Sequence, residues 1–553
     1  MVSEVFSSLA PLRLSRSESA PHIVIYVALT VRHPQPSVIN VKILYHNPPF
    51  HDTISGYIHK KCISRMETIM GILSNLEPKP VFRYFEEICA IPHGSSNTKA
   101  ISDYCVNFAK THGLRYIQDD SDNVIIFKAG TSGYEQSSPV ILQGHLDMVC
   151  EKDSDSNIDF NKDGLTLQLN DNTITAKGTT LGADDGIAIA YALAILESED
   201  IPHPPLEVIF TSDEETGMLG ASALDCSSLQ SRIMLNIDSE EEGYLLVSCA
   251  GGIRVNAKLP LEREDASGIA VDLKVSGLMG GHSGVEIDKG RANASKLLGR
   301  TLYRLFSDFS FRIISVSGGL MDNAIPRDAS AQILLSNEAD LSGFENTVRE
   351  LNEIYRREYQ LTDPDVKLDI CNIKPSVSAS AMTDGTTSKV ITALVSLPNG
   401  IQRMSSDIKD LVQTSLNLGI LSSTDTEVMY SFAVRSSVET EKYELVERIK
   451  CLIEALGGAI SCSGAYPAWE YRKDSPLREL MIKIYEEQYG NKPIVQAMHA
   501  GVECGLLSGK LVGLDCVSFG PDIKGAHTPQ ESLSADSALR TWKYLLEILK
   551  QLK

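Results

Sequence analysis

The sequence predicts an α/β protein in which one domain, with a mostly parallel central sheet flanked by helices, carries an inserted α+β domain. Short apolar runs alternate with amphipathic helices in the first and last parts of the chain, which is typical of buried parallel strands. In the middle of the chain, the strands instead alternate apolar and polar residues, and long amphipathic helices separate them. This change of pattern indicates a second domain inserted into the first.

The first domain is predicted from residues 66–250 and 467–553. Helices are predicted at VFRYFEEICAI and TKAISDYCVNFAKTHG, and a strand at NVIIFKA. Four buried strands are predicted at VILQG, LEVIFT, IMLNI and, far downstream, CVSFG. Because the last of these follows the insertion, the sheet must be completed by the C-terminal part of the chain.

The inserted domain is predicted at residues 251–466 and is called the lid domain below. It contains a weak internal repeat of the order strand, helix, strand, helix, which predicts two similar halves. In the second half, the repeat assigns a strand to KVITALVSLPNG and a helix to SSDIKDLVQTSLNLG. The strand EVMYSFAVRSS and the helix ending in LIEALG complete that half.

Residues 1–65 differ from the rest of the chain. They are net positive, whereas the whole protein has a net charge of −21, and they carry five of the twelve histidines without a recognisable motif. We expect them to be a disordered or non-native N-terminal extension, with the ordered chain beginning near Met66.

Charge and composition exclude several classes of partner. A net charge of −21 repels nucleic acid and anionic membranes, so neither is expected as a partner. No apolar run approaches the roughly 18 residues of a membrane span. The eleven cysteines form no CxxC pair, which favours reduced thiols and a cytoplasmic location.

Acidic residues and histidines gather where the predicted strands end. In parallel sheets, ligands bind beyond the carboxyl ends of the strands. The residues expected at this edge are His145 and Asp147 after VILQG, Glu214 and Glu215 after LEVIFT, Asp238 after IMLNI, His527 after CVSFG, and Asp184 with Asp185 at the start of a helix.

Each of these features alone has an ordinary explanation, such as a helix cap, a solvated charge run or a partly buried histidine. Together they bring several carboxylates to one edge, which is unfavourable without a cation. Mixed nitrogen and oxygen ligands suit Zn²⁺, Mn²⁺ or Co²⁺, and more than four ligands suggest two ions that share a carboxylate. Asp147 is expected to accept a hydrogen bond from the second ring nitrogen of His145.

The motifs GHLDMV, GADDG, SDEETG, NIDSEE, GGHSG and GPDIKGAHTPQE occur in this order. Their order resembles that of the two-zinc aminoacylase/carnosinase-type metallopeptidases. The further segments EKDSDSNIDF, EVIFTSDEETGMLGA and HAGVECGLL are similar to those of the aminoacylhistidine (Xaa-His) dipeptidase group, also called peptidase D. The resemblance runs from about Met66 to the C-terminus, and it implies a catalytic α/β domain with an inserted lid.

This resemblance implies a role for each matching residue. Two Zn²⁺ ions are implied, for which Mn²⁺ or Co²⁺ could substitute. The implied ligands are His145, Asp184 and Asp238 for one ion, and Asp184, Glu215 and His527 for the other. Glu214 would be the general base that deprotonates the bridging water, Asp147 would support His145, and His282 of the lid domain would stabilise the oxyanion.

The implied reaction is hydrolysis of dipeptides, including Xaa-His dipeptides. Arg435, Asn323 and His499 are candidates for substrate contacts, although Arg435 is equally explained as a solvated strand arginine and His499 as a packing residue. A tripeptide aminopeptidase, an N-acyl amino acid deacylase and a catalytically silent binding protein remain alternatives. The sequence also leaves open whether a homodimer forms, in which His282 would serve its own or a neighbouring site.

Overall fold

The computed structural model describes residues 71–553, and the predicted extension at residues 1–65 lies outside the described residues. Residues Ile72–Lys553 form one compact unit that contains two large sheets. The domain boundaries at residues 250 and 466 stay predictions.

The elements are numbered in chain order. Residues 71–250 form α1 (Lys79–Cys89), α2 (Lys99–Thr111), β1 (Arg115–Gln118), β2 (Val124–Lys128), β3 (Val140–His145), β4 (Leu167–Asn170), β5 (Thr173–Ala176), α3 (Ala183–Glu197), β6 (Leu206–Thr211), α4 (Leu219–Ala223), β7 (Ile233–Asn236) and β8 (Tyr244–Cys249). Residues 251–466 form β9 (Gly251–Pro260), β10 (Arg263–Ser276), β11 (Gly281–His282), α5 (Ala294–Asp308), β12 (Phe311–Gly318), β13 (Ala324–Ile325), β14 (Ala329–Leu335), α6 (Leu341–Glu358), β15 (Lys367–Met382), α7 (Asp384–Ser396), β16 (Gly400–Met404), β17 (Val412–Ser423), β18 (Glu427–Ser436), α8 (Glu439–Ala455) and β19 (Ala459–Tyr466). Residues 467–553 form α9 (Pro476–Tyr489), β20 (Ile494–Met498), α10 (Glu503–Lys510), β21 (Asp515–Ser518), β22 (Ile523–Lys524), β23 (Ser532–Ser534) and α11 (Ala535–Gln551).

The first large sheet has eight strands in the order β1-β2-β6-β3-β7-β21-β8-β20. Its four central strands, β6, β3, β7 and β21, run parallel to their neighbours within that group, and they are the four strands that the sequence predicted as buried. Antiparallel pairs occur toward the edges, between β1, β2 and β6 and between β21 and β8. The predicted α/β class with a parallel centre is therefore confirmed.

Helix α3 packs against β3 and α1, and it is buried on nearly all sides. This burial follows from its composition, because IAIAYALAIL presents apolar residues around the whole helix. Gly144 near the end of β3 allows the close approach. A Cβ atom there would lie 2.5 Å from Oδ2 of Asp185 and 2.7 Å from Cβ of Ala188. The start of α3 is thereby brought against the end of β3.

The second large sheet is antiparallel, with the order β15-β10-β14-β12-β17-β18-β9-β19 and with β16 paired to β17. Helices α5, α6, α7 and α8 share one apolar core with it, which includes Leu298, Phe344, Leu394 and Ile449. All of its strands come from the segment between residues 251 and 466. The predicted α+β insertion is confirmed by this arrangement.

The prediction for the second half of the lid domain was wrong in two elements. The segment predicted as the strand KVITALVSLPNG belongs mostly to helix α7, and the segment predicted as a helix contains the start of β17. Val390, Ile391 and Leu394 are buried on the core side of α7, and the side chain of Thr383 caps its start. The β-branched residues favour a strand locally, but burial of this helical face against the sheet determines the structure.

The chain passes between the two large sheets twice, once between β8 and β9 and once after β19, and the two connections lie side by side. Cys249 and Trp469 exchange two backbone hydrogen bonds of 3.1 Å. Next to this pair, a Cβ atom on Gly251 would lie 2.5 Å from the backbone N of Ala468 and 2.6 Å from the carbonyl C of Pro467. The absence of a side chain at residue 251 therefore permits the paired connection.

Within residues 71–553, no helix combines the length and the apolar composition that crossing a membrane requires.

We expect Gly251→Ala to lower the free energy of unfolding by about 1–3 kcal/mol, because the added methyl group would overlap backbone atoms that cannot move aside. The measurement is chemical denaturation followed by circular dichroism. Gly385→Ala is the matched control, since it lies in helix α7 with open space around its Cβ position, and it should be neutral or slightly stabilising. Equal stability of the two variants would contradict the packing assigned to Gly251.

Candidate metal centre

His145 is the last residue of β3, and its two ring nitrogens have different surroundings. Nδ1 lies 2.9 Å from the main-chain oxygen of Asp147 and donates to it. Nε2 lies 3.0 Å from Oδ1 of Asp184 and 3.5 Å from Oδ1 of Asp238. One hydrogen bond thus fixes the tautomer and leaves the other nitrogen facing two carboxylates.

Asp147 contacts His145 differently from what the sequence predicted. Its carboxylate is 3.6 Å from Nδ1 of His145, and the main-chain oxygen takes the hydrogen bond instead. The carboxylate accepts from the backbone N–H groups of Glu214 (2.9 Å) and Glu215 (3.3 Å) and from the hydroxyl of Ser95 (2.8 Å). Asp147 therefore holds the turn that carries both glutamates.

A second group of donors forms around His527. Nε2 of His527 lies 2.8 Å from Oε1 of Glu215 and 3.3 Å from Oδ2 of Asp184. Asp184 thus directs Oδ1 toward His145 and Oδ2 toward His527. The structure brings together all five residues that the sequence predicted as ligands, in two sets of three that share Asp184.

Asp184 is positioned by a residue that the sequence analysis missed. Glu531 is buried, and its carboxylate accepts hydrogen bonds from the four consecutive backbone N–H groups of residues 181–184, at 2.7 to 3.4 Å. These groups form the turn into α3, where Asp184 has non-helical φ and ψ of −83° and 101°. A signal was available, because Glu531 follows His527 by four residues in HTPQE.

The electrostatics of the site show an excess of buried carboxylates. Burial raises the pKa of Asp238 to about 6 and raises the pKa of Asp185 well above its usual value. Burial lowers the pKa of His145, but the carboxylates of Asp147, Asp184 and Asp238 raise it well above its usual value overall. Hydrogen bonds to Asp184 and Glu215 raise the pKa of His527 to about 11. The cluster therefore holds protons that bound cations would replace.

Glu214 lies beside this cluster. Its carboxylate comes within 4.8 Å of donor atoms of His145 and Glu215, and none of the hydrogen bonds within residues 71–553 uses its side-chain oxygens. Burial raises the pKa of Glu214 to about 9, and the neighbouring charges of Asp238 and Glu503 add to this effect. Divalent cations bound at the neighbouring donors would lower this pKa and favour the ionised carboxylate that can accept a proton.

The residues present fit two divalent cations. Each set of three offers one imidazole nitrogen and two carboxylate oxygens within 4.8 Å of one another. Oε1 of Glu215 is buried and faces Nε2 of His527 at 2.8 Å, a pair of donor atoms that one cation could bind together. Nitrogen and oxygen donors without thiolates are suited to Zn²⁺, Mn²⁺ and Co²⁺.

His282 lies in the lid domain, on the short strand β11 that pairs with β13. Its Nδ1 accepts from the backbone N–H groups of Gly284 and Val285, both at 3.2 Å. Nε2 must therefore carry the proton in the neutral ring. Burial and the nearby guanidinium of Arg435 lower the pKa of His282, which favours this neutral donor form.

The three candidates for substrate contacts lie around His282, and we call these four residues the lid cluster. Asn323 accepts from the backbone N–H of Ser283 at 2.8 Å through its main-chain oxygen, and His499 donates to or accepts from the hydroxyl of Ser415 at 2.7 Å. Arg435 donates from Nη1 to the hydroxyl of Tyr466 at 2.9 Å. Nε of Arg435 is buried without a partner, and no carboxylate of residues 71–553 pairs with this guanidinium.

The segment 499–503 joins the lid cluster to the metal centre. At one end, His499 contacts the turn that follows His282, since a Cβ on Gly284 would lie 2.7 Å from its main-chain oxygen. At the other end, Glu503 accepts hydrogen bonds from residues of β3 and β6. The segment therefore connects the two groups of predicted functional residues.

Comparisons with known proteins show the family and the fold of the chain. Residues 141–551 match the model of peptidase family M20/M25/M40. The chain is 39% identical over 490 residues to the cytosol non-specific dipeptidase of Escherichia coli (strain K12), covering 87% of this chain and 99% of that protein. The crystal structure of aminoacylhistidine dipeptidase from Vibrio alginolyticus superimposes with a TM-score of 0.82 at 35% identity, covering 88% of this chain and 99% of that one. The resemblance predicted from the motifs is confirmed.

We expect Asp184→Ala to abolish binding of both cations, because each set of donors would lose the carboxylate that it shares with the other. Elemental analysis of protein that has been equilibrated with Zn²⁺ and gel-filtered should find about two ions per chain in the wild type and almost none in the variant. Asp238→Ala is the comparison, since it leaves the set around His527 complete and should retain about one ion. Two ions in the Asp184→Ala variant would show that the sets are independent.

Proposed function

Because the chain belongs to peptidase family M20/M25/M40, we propose that it is a metal-dependent dipeptidase that uses two Zn²⁺ ions, with Mn²⁺ or Co²⁺ as possible substitutes. The observation that carries the proposal is the position of Asp184 between two donor sets. Its Oδ1 faces His145, which also contacts Asp238, and its Oδ2 faces His527, which also contacts Glu215. The similarity to two dipeptidases over almost their full lengths supports dipeptides as the substrate class, with Xaa-His dipeptides among them.

His145, Asp184 and Asp238 would hold one ion, and Asp184, Glu215 and His527 the other. When bound, the two ions supply Lewis acidity for the scissile carbonyl and for the attacking water. The remaining chemistry belongs to side chains of this protein.

Glu214 is proposed as the general base. Its carboxylate takes a proton from the attacking water and later delivers it to the nitrogen of the leaving amine. Asp147 supports this step, because its carboxylate holds the backbone N–H groups of Glu214 and Glu215 and so fixes the direction of both side chains.

The lid cluster is proposed to bind the rest of the substrate. The guanidinium of Arg435 lacks a carboxylate partner among the described residues, so it can take the α-carboxylate of a dipeptide. His282 presents Nε2–H as a donor and would stabilise the negative charge that develops on the carbonyl oxygen. Asn323 and His499 are proposed to line the same space.

The cellular setting is proposed to be cytoplasmic. The cysteines of residues 71–553 form no disulfide, and the relative from Escherichia coli is described as a cytosol protein. The partner is a small peptide, and neither nucleic acid nor a membrane is expected, because the net charge is −21.

A substrate panel with defined metals tests the proposed function. Xaa-His dipeptides, other dipeptides, tripeptides and N-acetyl amino acids should be assayed with chelator-treated protein that has been reloaded with Zn²⁺, Mn²⁺ or Co²⁺. Dipeptides should give the highest kcat/KM. A preference for tripeptides would indicate a tripeptide aminopeptidase, and a preference for N-acetyl amino acids a deacylase. Absence of any hydrolysis with metals bound would favour a silent binding protein.

We expect Glu214→Gln to keep both cations and to lower kcat by at least about 10²-fold, the usual effect of losing general-base assistance. Glu215 supplies the metal-facing oxygen from the same turn, so metal content should not change. Glu241→Gln, an exposed carboxylate outside both donor sets, is the control and should be fully active. Loss of a cation with near-normal kcat would mean that the roles of the two glutamates are exchanged.

We expect His282→Ala to lower kcat by roughly 10²–10³-fold while KM changes little, because the lost donor acts mainly on the developing oxyanion. Steady-state kinetics and metal analysis on the same preparation measure this. Near-wild-type turnover would remove His282 from the mechanism, whereas loss of cations would make it a ligand or a structural residue.

A further inference from the structure

Glu503, the first residue of α10, is fully buried beneath the metal centre. Its Oε2 accepts two hydrogen bonds of 2.6 Å, one from Nε2 of Gln143 and one from the hydroxyl of Thr211. Gln143 in turn accepts a hydrogen bond of 2.5 Å from the side-chain amide of Asn236. Four buried polar side chains thus form one connected network.

The network joins three of the four strands that deliver residues to the metal centre. Gln143 lies on β3 two residues before His145, and Asn236 ends β7 two residues before Asp238. Thr211 ends β6, three residues before Glu214. Because each network residue lies so close in sequence to a metal-site residue, displacing one of these strands would displace the side chain that it carries.

A role limited to core packing does not explain Glu503. Its Oε1 is buried without a hydrogen-bond partner, and no lysine or arginine of residues 71–553 forms an ion pair with it. Its acidic neighbours Asp238 and Glu214 add repulsion. An apolar side chain of similar volume would avoid these costs, as buried apolar replacements of ionic groups often do.

We propose that Glu503 is a positioning residue for the metal centre, which aligns the ends of β3, β6 and β7 through its contacts with Gln143 and Thr211. The alignment keeps the donors of His145, Glu215 and Asp238 at distances that suit cations. The role of Glu503 rests on the proposed function only where catalysis is concerned, since the effect of Glu503 on cation binding is measured separately.

Two substitutions separate positioning from packing. Glu503→Gln retains an oxygen that can accept from both Gln143 and Thr211, whereas Glu503→Leu removes the acceptor and keeps an apolar side chain in the space. We expect Glu503→Leu to weaken Zn²⁺ binding by about 10- to 100-fold, the usual effect of removing a residue that orients metal ligands. Glu503→Gln should bind Zn²⁺ within about threefold of the wild type, because the hydrogen bonds are preserved.

The experiment uses the full-length protein after chelator treatment. Zn²⁺ affinity is measured by competition with a chromophoric chelator, the Tm of the metal-free protein by calorimetry, and kcat and KM on dipeptides after reloading at saturating Zn²⁺. Leu507→Ala, a buried residue one turn along α10, is the control for helix packing, and it should lower Tm without changing Zn²⁺ affinity.

The outcomes distinguish the possibilities. Weakened Zn²⁺ binding in Glu503→Leu, with recovery in Glu503→Gln and a metal-free Tm close to that of the wild type, supports the proposal. Wild-type affinity in Glu503→Leu, or an equal loss in both variants, overturns it. Normal Zn²⁺ binding together with no dipeptide hydrolysis in the wild type would count against the proposed function and not against the role of Glu503.

Discussion

The structure depends on one electrostatic constraint, which is that several buried carboxylates share two imidazoles at the edge of a parallel sheet. Asp184, Glu215 and Asp238 face His145 and His527 at 2.8 to 3.5 Å, and Glu214 and Asp185 lie beside them. Such a cluster is stable only if positive charge is supplied, by protons or by cations. Two divalent ions would satisfy this requirement and would supply the Lewis acidity that metal-dependent peptide hydrolysis needs.

Hydrogen bonds with backbone groups hold the carboxylates and the imidazole of this cluster in place. Glu531 accepts the N–H groups that lead into Asp184, Asp147 accepts those of the two glutamates, and the main-chain oxygen of Asp147 holds His145. Gly144 lets α3 approach β3 closely enough for Asp184 to reach His145. The lid domain is tied to this centre by the paired connections near Cys249 and Trp469 and by segment 499–503.

The sequence predicted the parallel strands and the donor residues because both depend on local signals. Each donor follows a buried apolar run or begins a helix, and parallel strands bring such positions to one edge. The contacts of Glu531 and Glu503 do not follow from local signals, since their hydrogen-bond partners lie about 350 and 290 or more positions away in the chain. Helix α7 was mistaken for a strand because the apparent internal repeat assigned a strand to this segment. Its helical face, which includes Val390, Ile391 and Leu394, is buried against the sheet, and this contact is not visible in the local sequence.

The assignment of this cluster as a site for two cations is tested most simply by titrating the metal-free wild-type protein with Zn²⁺ while Tm is followed by calorimetry. A ligand that binds only the folded state raises its stability until the sites are filled. We expect Tm to rise until about two equivalents of Zn²⁺ per chain have been added and then to level off. A Tm that does not change, or that levels off at one equivalent, would contradict a site for two cations.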